Sequence, residues 1–429
     1  MYKKILALML SALMVVSLAG CSGGGDSAET TAAAAETTAA AADGETAAEG
    51  ETAAAADGET FKIGAYLQLS GGNSAYGVEA RNAIEIAIDY VNENGGFNGV
   101  PVELVAYDTQ GSAEEAVKIV TKLIEVDQVD AAVGSINSSE VLAAAGYLND
   151  AGMYNFGMGT SPTWMEEDWP YVFRAAMNNG NAVPATVELV QAFGYTSVGT
   201  FYGQDDNSLT TAETFEAACE EAGITVTASE SYDTGDSDFS AQVASILASN
   251  PDCVYISVMG EAGPLIVQQL RQYGYSGIII DKESFMESQI DIAGEENSNY
   301  IAFANPYVTY ASSADCDDEY MKSFLERYEE AYGECCKTDS AYRGWDTIMC
   351  MWEASKIAGA NDSDSLRDAT NQISGLQGLG GTIDFTAGDR EAYQTVNKFI
   401  LVDRKNIPVD QWLEDGGYDA YKEATGNDK

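Results

Sequence analysis

The sequence has no histidine. Histidine-based nucleophilic triads, His-ligated zinc and imidazole acid–base chemistry are therefore excluded. Basic residues are scarce: 21 Lys and Arg stand against 68 Asp and Glu, a formal charge of −47. A field of that sign repels polyanions, so no nucleic-acid partner is expected, whereas a neutral or zwitterionic small molecule is admitted. The Gly-x-Ser-x-Gly elbow is absent from both "GTSPTW" and "GSINSSE". Glu166 and Glu167 form a carboxylate pair, but among so many acids they read as a solvated face. Adjacent Cys335 and Cys336 fit no metal motif. The chain is read as a non-enzyme without a cofactor or metal site.

Residues 22–60 lack aromatic and β-branched aliphatic side chains, and "AADGET" occurs in them twice. Such a stretch cannot bury a core, and Gly, Thr and Asp-Gly interrupt the helix its alanines would favour. It reads as a disordered tether of about 39 residues, with a reach of roughly 35 Å. Ahead of it, Lys3 and Lys4 precede an apolar run from Ile5 to Leu18, too short for a spanning helix and right for a secretory signal. "LAGC" then matches the bacterial lipobox, in which the cysteine becomes the lipidated N-terminus. Cys21 is thus the expected site of acylation, palmitate included, and the membrane anchor of an exported protein.

Residues 61–429 are too long for one compact core and suit two lobes. Within −47 overall, residues 1–60 contribute two lysines and nine carboxylates, −7, which leaves −40 for this part. Short apolar strands ("KIGAYLQL", "VELVAYD", "DAAVGS", "MYNFGM") alternate with amphipathic helices, and Ser112 and Glu115 have capping-box spacing. The alternation restarts after "YVFRAAMNNG" with "TSVGTFYG", "TVTASESY", "CVYISV" and "GIIID". This order predicts an α/β fold of two units, each with a parallel sheet covered on both faces and with ligands outside the carboxyl ends of the strands. In "AVGSINSSEVLAAAG", Ser138 stands where a strand gives way to a helix. It either caps that helix or helps its free amides seat an anion. Six cysteines follow Cys21: Cys219, Cys253, Cys316, Cys335, Cys336 and Cys350. An exported protein permits them to pair, in a pattern the sequence does not reveal; Cys253, in an apolar strand, reads as core.

The run "GGFNGVPVELVAYDTQGSAEEAVKIVTKLIEVDQVDAAVGSINSS" resembles the Gly-Gly-x-Asn-Gly, strand, Tyr-Asp, helix, Val-x-Gly-x-x-x-Ser pattern of the branched-chain amino acid binding proteins. These are type I periplasmic binding proteins that feed ABC importers. The resemblance extends, more weakly, to "GTIDFTAGDREAYQTVNKFILVD". It implies two Rossmann-like lobes joined by three crossings, near "YVFRAAM", "YIAFANP" and "GLGGTIDF", closing by hinge motion on an amino acid. The domains expected are a signal at 1–20, lipidated cysteine and tether at 21–60, an N-terminal lobe of 61–176 plus 306–378, and a C-terminal lobe of 177–305 plus 379–429.

The resemblance assigns the ligand carboxylate to Ser138 and to Thr160 or Ser161, with Gly159 supplying backbone. It puts Tyr76, in the first loop, against the ligand, and gives the ammonium to Glu283, with Asp281 as the other choice. Two positions depart from the family. Asn137 and Gly111 stand where well-known members carry a disulfide, and Asn207-Ser208 replaces a Tyr-Gly wall, so the pocket is more polar. The implied function is a lipid-anchored, monomeric substrate-binding protein, partnered by ABC permease subunits and a small amino acid, branched-chain or related. The alternative is a receptor-linked sensor of an amide, aromatic acid or other small molecule. The lipobox is open to direct test: Cys21→Ser should abolish lipid labelling and detergent-phase partitioning, leaving a soluble exported domain or an unprocessed precursor. Ligand titration of the purified variant should match wild type, because a tether transmits no strain.

Overall fold

A computed structural model describes residues 60–233 and 235–427. The signal at 1–20, Cys21 and the tether up to residue 59 lie outside the described residues. Strands β1 (Phe61–Leu67), β2 (Val102–Asp108), β3 (Ala131–Gly134), β4 (Asn155–Gly157) and β5 (Val172–Arg174) form an all-parallel sheet in the order β2-β1-β3-β4-β5. Helices α1 (Ser74–Glu93), α2 (Ala113–Lys122) and α3 (Ser138–Asp150) make its crossovers. α1 buries Ala80, Ala83, Ile84, Ala87, Ile88 and Val91, a stripe at helical spacing. α2 opens on half of the expected box: the Ser112 hydroxyl accepts from the Glu115 amide at 3.3 Å, while the Ser112 amide donates to the Thr109 carbonyl instead.

The second unit runs through α4 (Asn179–Ala192), β6 (Ser197–Gly203), α5 (Asp206–Glu221), β7 (Thr225–Tyr232), α6 (Ser240–Ala248), β8 (Cys253–Ser257), α7 (Ala262–Gln272) and β9 (Ile279–Asp281). Short helices α8 (Glu287–Ala293) and α9 (Glu295–Ser298) lead to β10 (Ile301–Asn305). The chain then returns to the first unit as α10 (Glu319–Tyr332), α11 (Ser340–Ala358), α12 (Ser363–Thr370) and the antiparallel pair β11 (Ser374–Gly378) and β12 (Gly381–Asp384). It finishes in the second with β13 (Asn397–Val402), β14 (Lys405–Pro408), α13 (Val409–Glu414) and α14 (Gly417–Thr425). The second sheet has the order β14-β13-β10-β9-β8-β6-β7. It is not wholly parallel as expected, because β13 enters antiparallel beside β10 and turns back into β14. Asp403 and Arg404, at φ of 49° and 59°, make that turn with the twist a two-residue hairpin requires.

Packing fixes where the chain changes lobes. Phe173 and Ala175 lie in the first core, and α4 opens the second unit at Asn179. Ala302 and Ala304 of β10 belong to the second core, whereas Tyr307 is back in the first. The third crossing differs from the expected boundary at 378/379: Ile383, Phe385, Ala392 and Tyr393 are all buried in the first core. Asp346 of α11 holds that segment, accepting from the Leu379 amide at 2.9 Å and from the hydroxyls of Tyr307 and Tyr393. The chain changes lobes between Tyr393 and Asn397. Burial pushes the Asp346 carboxyl up to about 6.

All six cysteines of the described residues are buried free thiols, with no disulfide among them. Cys253 sits at the start of β8 in the second core, as read. Burial pushes the thiols of Cys253, Cys336 and Cys350 well above their ordinary range, which removes the reactive thiolate. Native protein should therefore resist alkylation, and denatured, unreduced protein should take up label at all six positions, read by intact mass. A denatured mass showing any of these six unlabelled would contradict the free-thiol arrangement.

Candidate functional site

The carboxyl ends of both sheets face one cleft. On one wall β3 ends at Gly134 and α3 begins at Ser138. Asn137 is the N-cap residue, so the serine hydroxyl does not cap the helix. It accepts instead from the Ser161 amide at 3.1 Å, and this leaves its proton free to donate. The approach depends on Gly159, where a Cβ would come within 2.6 Å of the Ser138 hydroxyl oxygen. Arg174, at the end of β5, donates from Nη1 to the carbonyls of Gly159 (3.2 Å) and Ser161 (2.7 Å), fixing the loop between them.

On the opposite wall β9 ends at Asp281, and Lys282 and Glu283 follow. Thr160 Oγ1 donates to Glu283 Oε1 at 2.9 Å, and Asn179 Nδ2 donates to the same oxygen at 2.7 Å. Asn207 Nδ2 donates to Thr160 Oγ1 at 3.0 Å, while Ser161 Oγ and Thr163 Oγ1 donate to Asp206 Oδ2 at 2.9 and 3.0 Å. Hydroxyls of one lobe are thus bonded directly to carboxylates and an amide of the other. The lobes stand closed on each other's polar groups.

Around Glu283, three carboxylates and two bases stand together. Arg343 of α11 pairs with Asp339 at 2.6 Å and lies 3.6 Å from Glu283. Lys282 Nζ bonds to Asn207 Oδ1 and lies 3.3 Å from Ser208 Oγ. With Asp281, Glu283 and Asp339 set against Lys282 and Arg343, three against two, full ionisation leaves one negative charge in excess. Burial would raise the Glu283 carboxyl, but Lys282, Arg343 and the bonds from Asn179 and Thr160 together hold it below the usual carboxylate range. Asp281 has weaker company: the Glu283 amide donates to its Oδ1 at 3.2 Å and Lys282 stands near, and neither offsets its burial. Burial holds its carboxyl well above that range, and its Oδ2 is buried without a partner. A cation brought to that oxygen would draw the carboxyl back to the ionised form.

The residues singled out in the sequence fall into two compartments. Tyr76, Thr160, Asp281 and Glu283 line an inner cavity of about 20 Å³, roughly the space of one water. Asn137 and Ser138 line an outer cleft of about 660 Å³. Gly159 and Ser161 line neither and support the wall from behind. Tyr76 is not in a loop as expected: α1 starts at Ser74 and carries it in its first turn, where burial first and then Glu283 and Asp339 push its hydroxyl up. Sequence reading missed Lys282, Asp339 and Arg343. Arg343 did leave a signal, being the first base of a helix buried almost throughout, in a chain poor in bases. Glu166 and Glu167 are exposed, as read. Among the described residues no group of acids and cysteines could hold a metal, and no helix is long and apolar enough to cross a membrane.

Comparison with known proteins gives the same architecture. The family model described as periplasmic binding protein matches residues 60–402. A relative from Brucella abortus, Leu/Ile/Val-binding protein homolog 1, is 21% identical over 72% of this chain and 82% of its own. Among solved structures, a leucine binding protein from Thermotoga maritima superposes with a TM-score of 0.70 at 25% identity, covering 81% of this chain and 97% of the other. A solute binding protein of an ABC transporter from R. palustris, in complex with benzoate, gives 0.72 at 19% identity over 82% and 96%. With two α/β lobes, three crossings and a polar cleft at the ends of both sheets, and with a family match over most of its length, the chain belongs to the periplasmic binding protein family.

Proposed function

We propose that this protein is the extracytoplasmic solute-binding component of an ABC importer, anchored through a lipid on Cys21 and capturing a small α-amino acid, branched-chain or related. The observation that carries the reading is the meeting, at the ends of both sheets, of the Thr160 hydroxyl from one lobe with Glu283 from the other, beside Asp281 in the inner cavity and next to the outer cleft that Ser138 lines. An α-amino acid carries both complements. Its carboxylate is suited to the free Ser138 proton, the first-turn amides of α3 and Thr160, and its ammonium to the unpartnered oxygen of Asp281 and to Glu283. Ligand entry requires the lobes to part, and the bonds they exchange when closed are the ones a ligand takes over. The lobes we assign are 61–176 with 306–393, and 177–305 with 394–427. Partners would be permease subunits, with the binding protein acting as a monomer.

A second reading, an aromatic acid as ligand, is favoured by one feature. The R. palustris neighbour holds benzoate, and here Tyr76 and Arg343 line the inner cavity together.

Thermal-shift screening separates the two. A cognate amino acid at a hundred times its Kd should stabilise the protein by about 2.7 kcal/mol. A shift with benzoate-like acids and none with amino acids would replace the first reading by the second. Two substitutions then assign the poles. Ser138→Ala should weaken amino-acid binding by roughly 1–3 kcal/mol while the fold loses about 1 kcal/mol for the Ser161 amide left unpaired. Glu283→Gln should cost about 1.5–3 kcal/mol for the amino acid and little for its des-amino analogue, read by calorimetry. Equal losses for both ligands would remove Glu283 from the ammonium site.

A further inference from the structure

We infer that Asn137, oriented by the buried carboxylate of Glu140, selects an α-amino acid whose side chain carries N–H donors: an amide, an amine or a guanidinium. The inference rests on the amino-acid reading above and narrows it.

Glu140, in the first turn of α3, is fully buried. Its Oε1 accepts from Asn137 Nδ2 at 3.0 Å, and its Oε2 is buried without a partner. The accepting oxygen of Glu140 requires the nitrogen end of the Asn137 amide to face it. That nitrogen spends its second hydrogen on Gln68 Oε1 at 2.7 Å. Both donors of Asn137 are thus used inside the wall. What remains to face the outer cleft, which Asn137 lines, is its carbonyl oxygen, a bare acceptor. Gly111 makes the arrangement possible, since a Cβ there would come within 2.8 Å of the Gln68 amide nitrogen.

The rest of the cleft asks for the same chemistry. Asp205, Asp206 and Glu261 line it, and no lysine or arginine does. Its apolar lining is confined to Met259, Ala262, Leu265 and the ring of Tyr232. A branched aliphatic side chain laid against Asn137 would bury the free carbonyl oxygen unpaired. An N–H group would bond to it, and a cationic one would also answer the acids across the cleft. The inner cavity is too small to take the side chain, so the outer cleft is where it must lie.

Calorimetric titration of the purified protein with glutamine, asparagine, lysine and arginine, and with leucine, isoleucine and valine, tests this. The best N–H-bearing amino acid should bind at least tenfold more tightly than the best branched one. Asn137→Leu should erase or invert that ratio. Glu140→Gln keeps the shape but lets the Asn137 amide turn either way, and should shrink the ratio several-fold. If Glu140 were only structural, its substitution would lower Tm or all affinities together and leave the ratio alone. Tighter binding of a branched aliphatic by wild type, or a ratio unmoved in both variants, would overturn the inference while the amino-acid reading stands. Binding of no amino acid at all would overturn both.

Discussion

The guanidinium of Arg174 is the group around which the molecule is registered. It is fully buried at the end of β5, and burial pulls its pKa below the usual arginine value. A charge in that position persists only when it is paired. Nη2 pairs with Glu391 at 2.7 Å, Nη1 takes two carbonyls of the 159–161 loop, and the plane lies over the Trp164 ring at 4.6 Å, while Nε is buried without a partner. Its backbone bonds to Arg390 and Ala392, so the first and third crossings run side by side as a short parallel bridge. Asn178, at the start of α4, donates to the same Glu391 oxygen at 2.8 Å. The hinge strands and the loop that carries Thr160 and Ser161 thus share one cation. Removing either partner of such a pair generally costs about 3–5 kcal/mol, because the other charge is left buried and alone.

The closure of the cleft is a contest between equivalent bonds. Thr160 already has a carboxylate, Glu283, and Glu283 already has two donors and two neighbouring cations. A ligand gains only the difference between its own bonds and those it displaces, and so selectivity falls to the groups the closed protein leaves unmatched. Asp281 Oδ2 and the Asn137 carbonyl oxygen are of that kind.

Alternating strands and helices, and the place of Ser138 at the end of β3, were legible because periodicity and strand-to-helix junctions are local properties. The errors were not local. The resemblance puts Tyr76 in a loop, yet α1 already starts at Ser74, and Gly77 lets that first turn pass close to the Gln68 carbonyl, where a Cβ would sit 1.9 Å away. The third crossing was placed too soon because Asp346, which ties residues 379 and 393 to α11, lies more than thirty residues earlier in the chain. Glu140 goes unmarked in the sequence, since nothing in "NSSEVLAAAG" says that this first-turn acid is fully buried and bonded to Asn137. The antiparallel arrival of β13 depends on which edge of the sheet is free, a tertiary fact.

The threading of the chain back and forth also bears on the order in which the protein can take shape. α11 lies against α1, with Trp345, Ile348 and Met351 in one core with Ile84 and Ala87, and β13 pairs with β10 only after the third crossing. Neither lobe is finished until the last third of the sequence is in hand. A chain emerging N-terminus first from a translocation channel therefore stays incomplete, and pliable, through most of its passage.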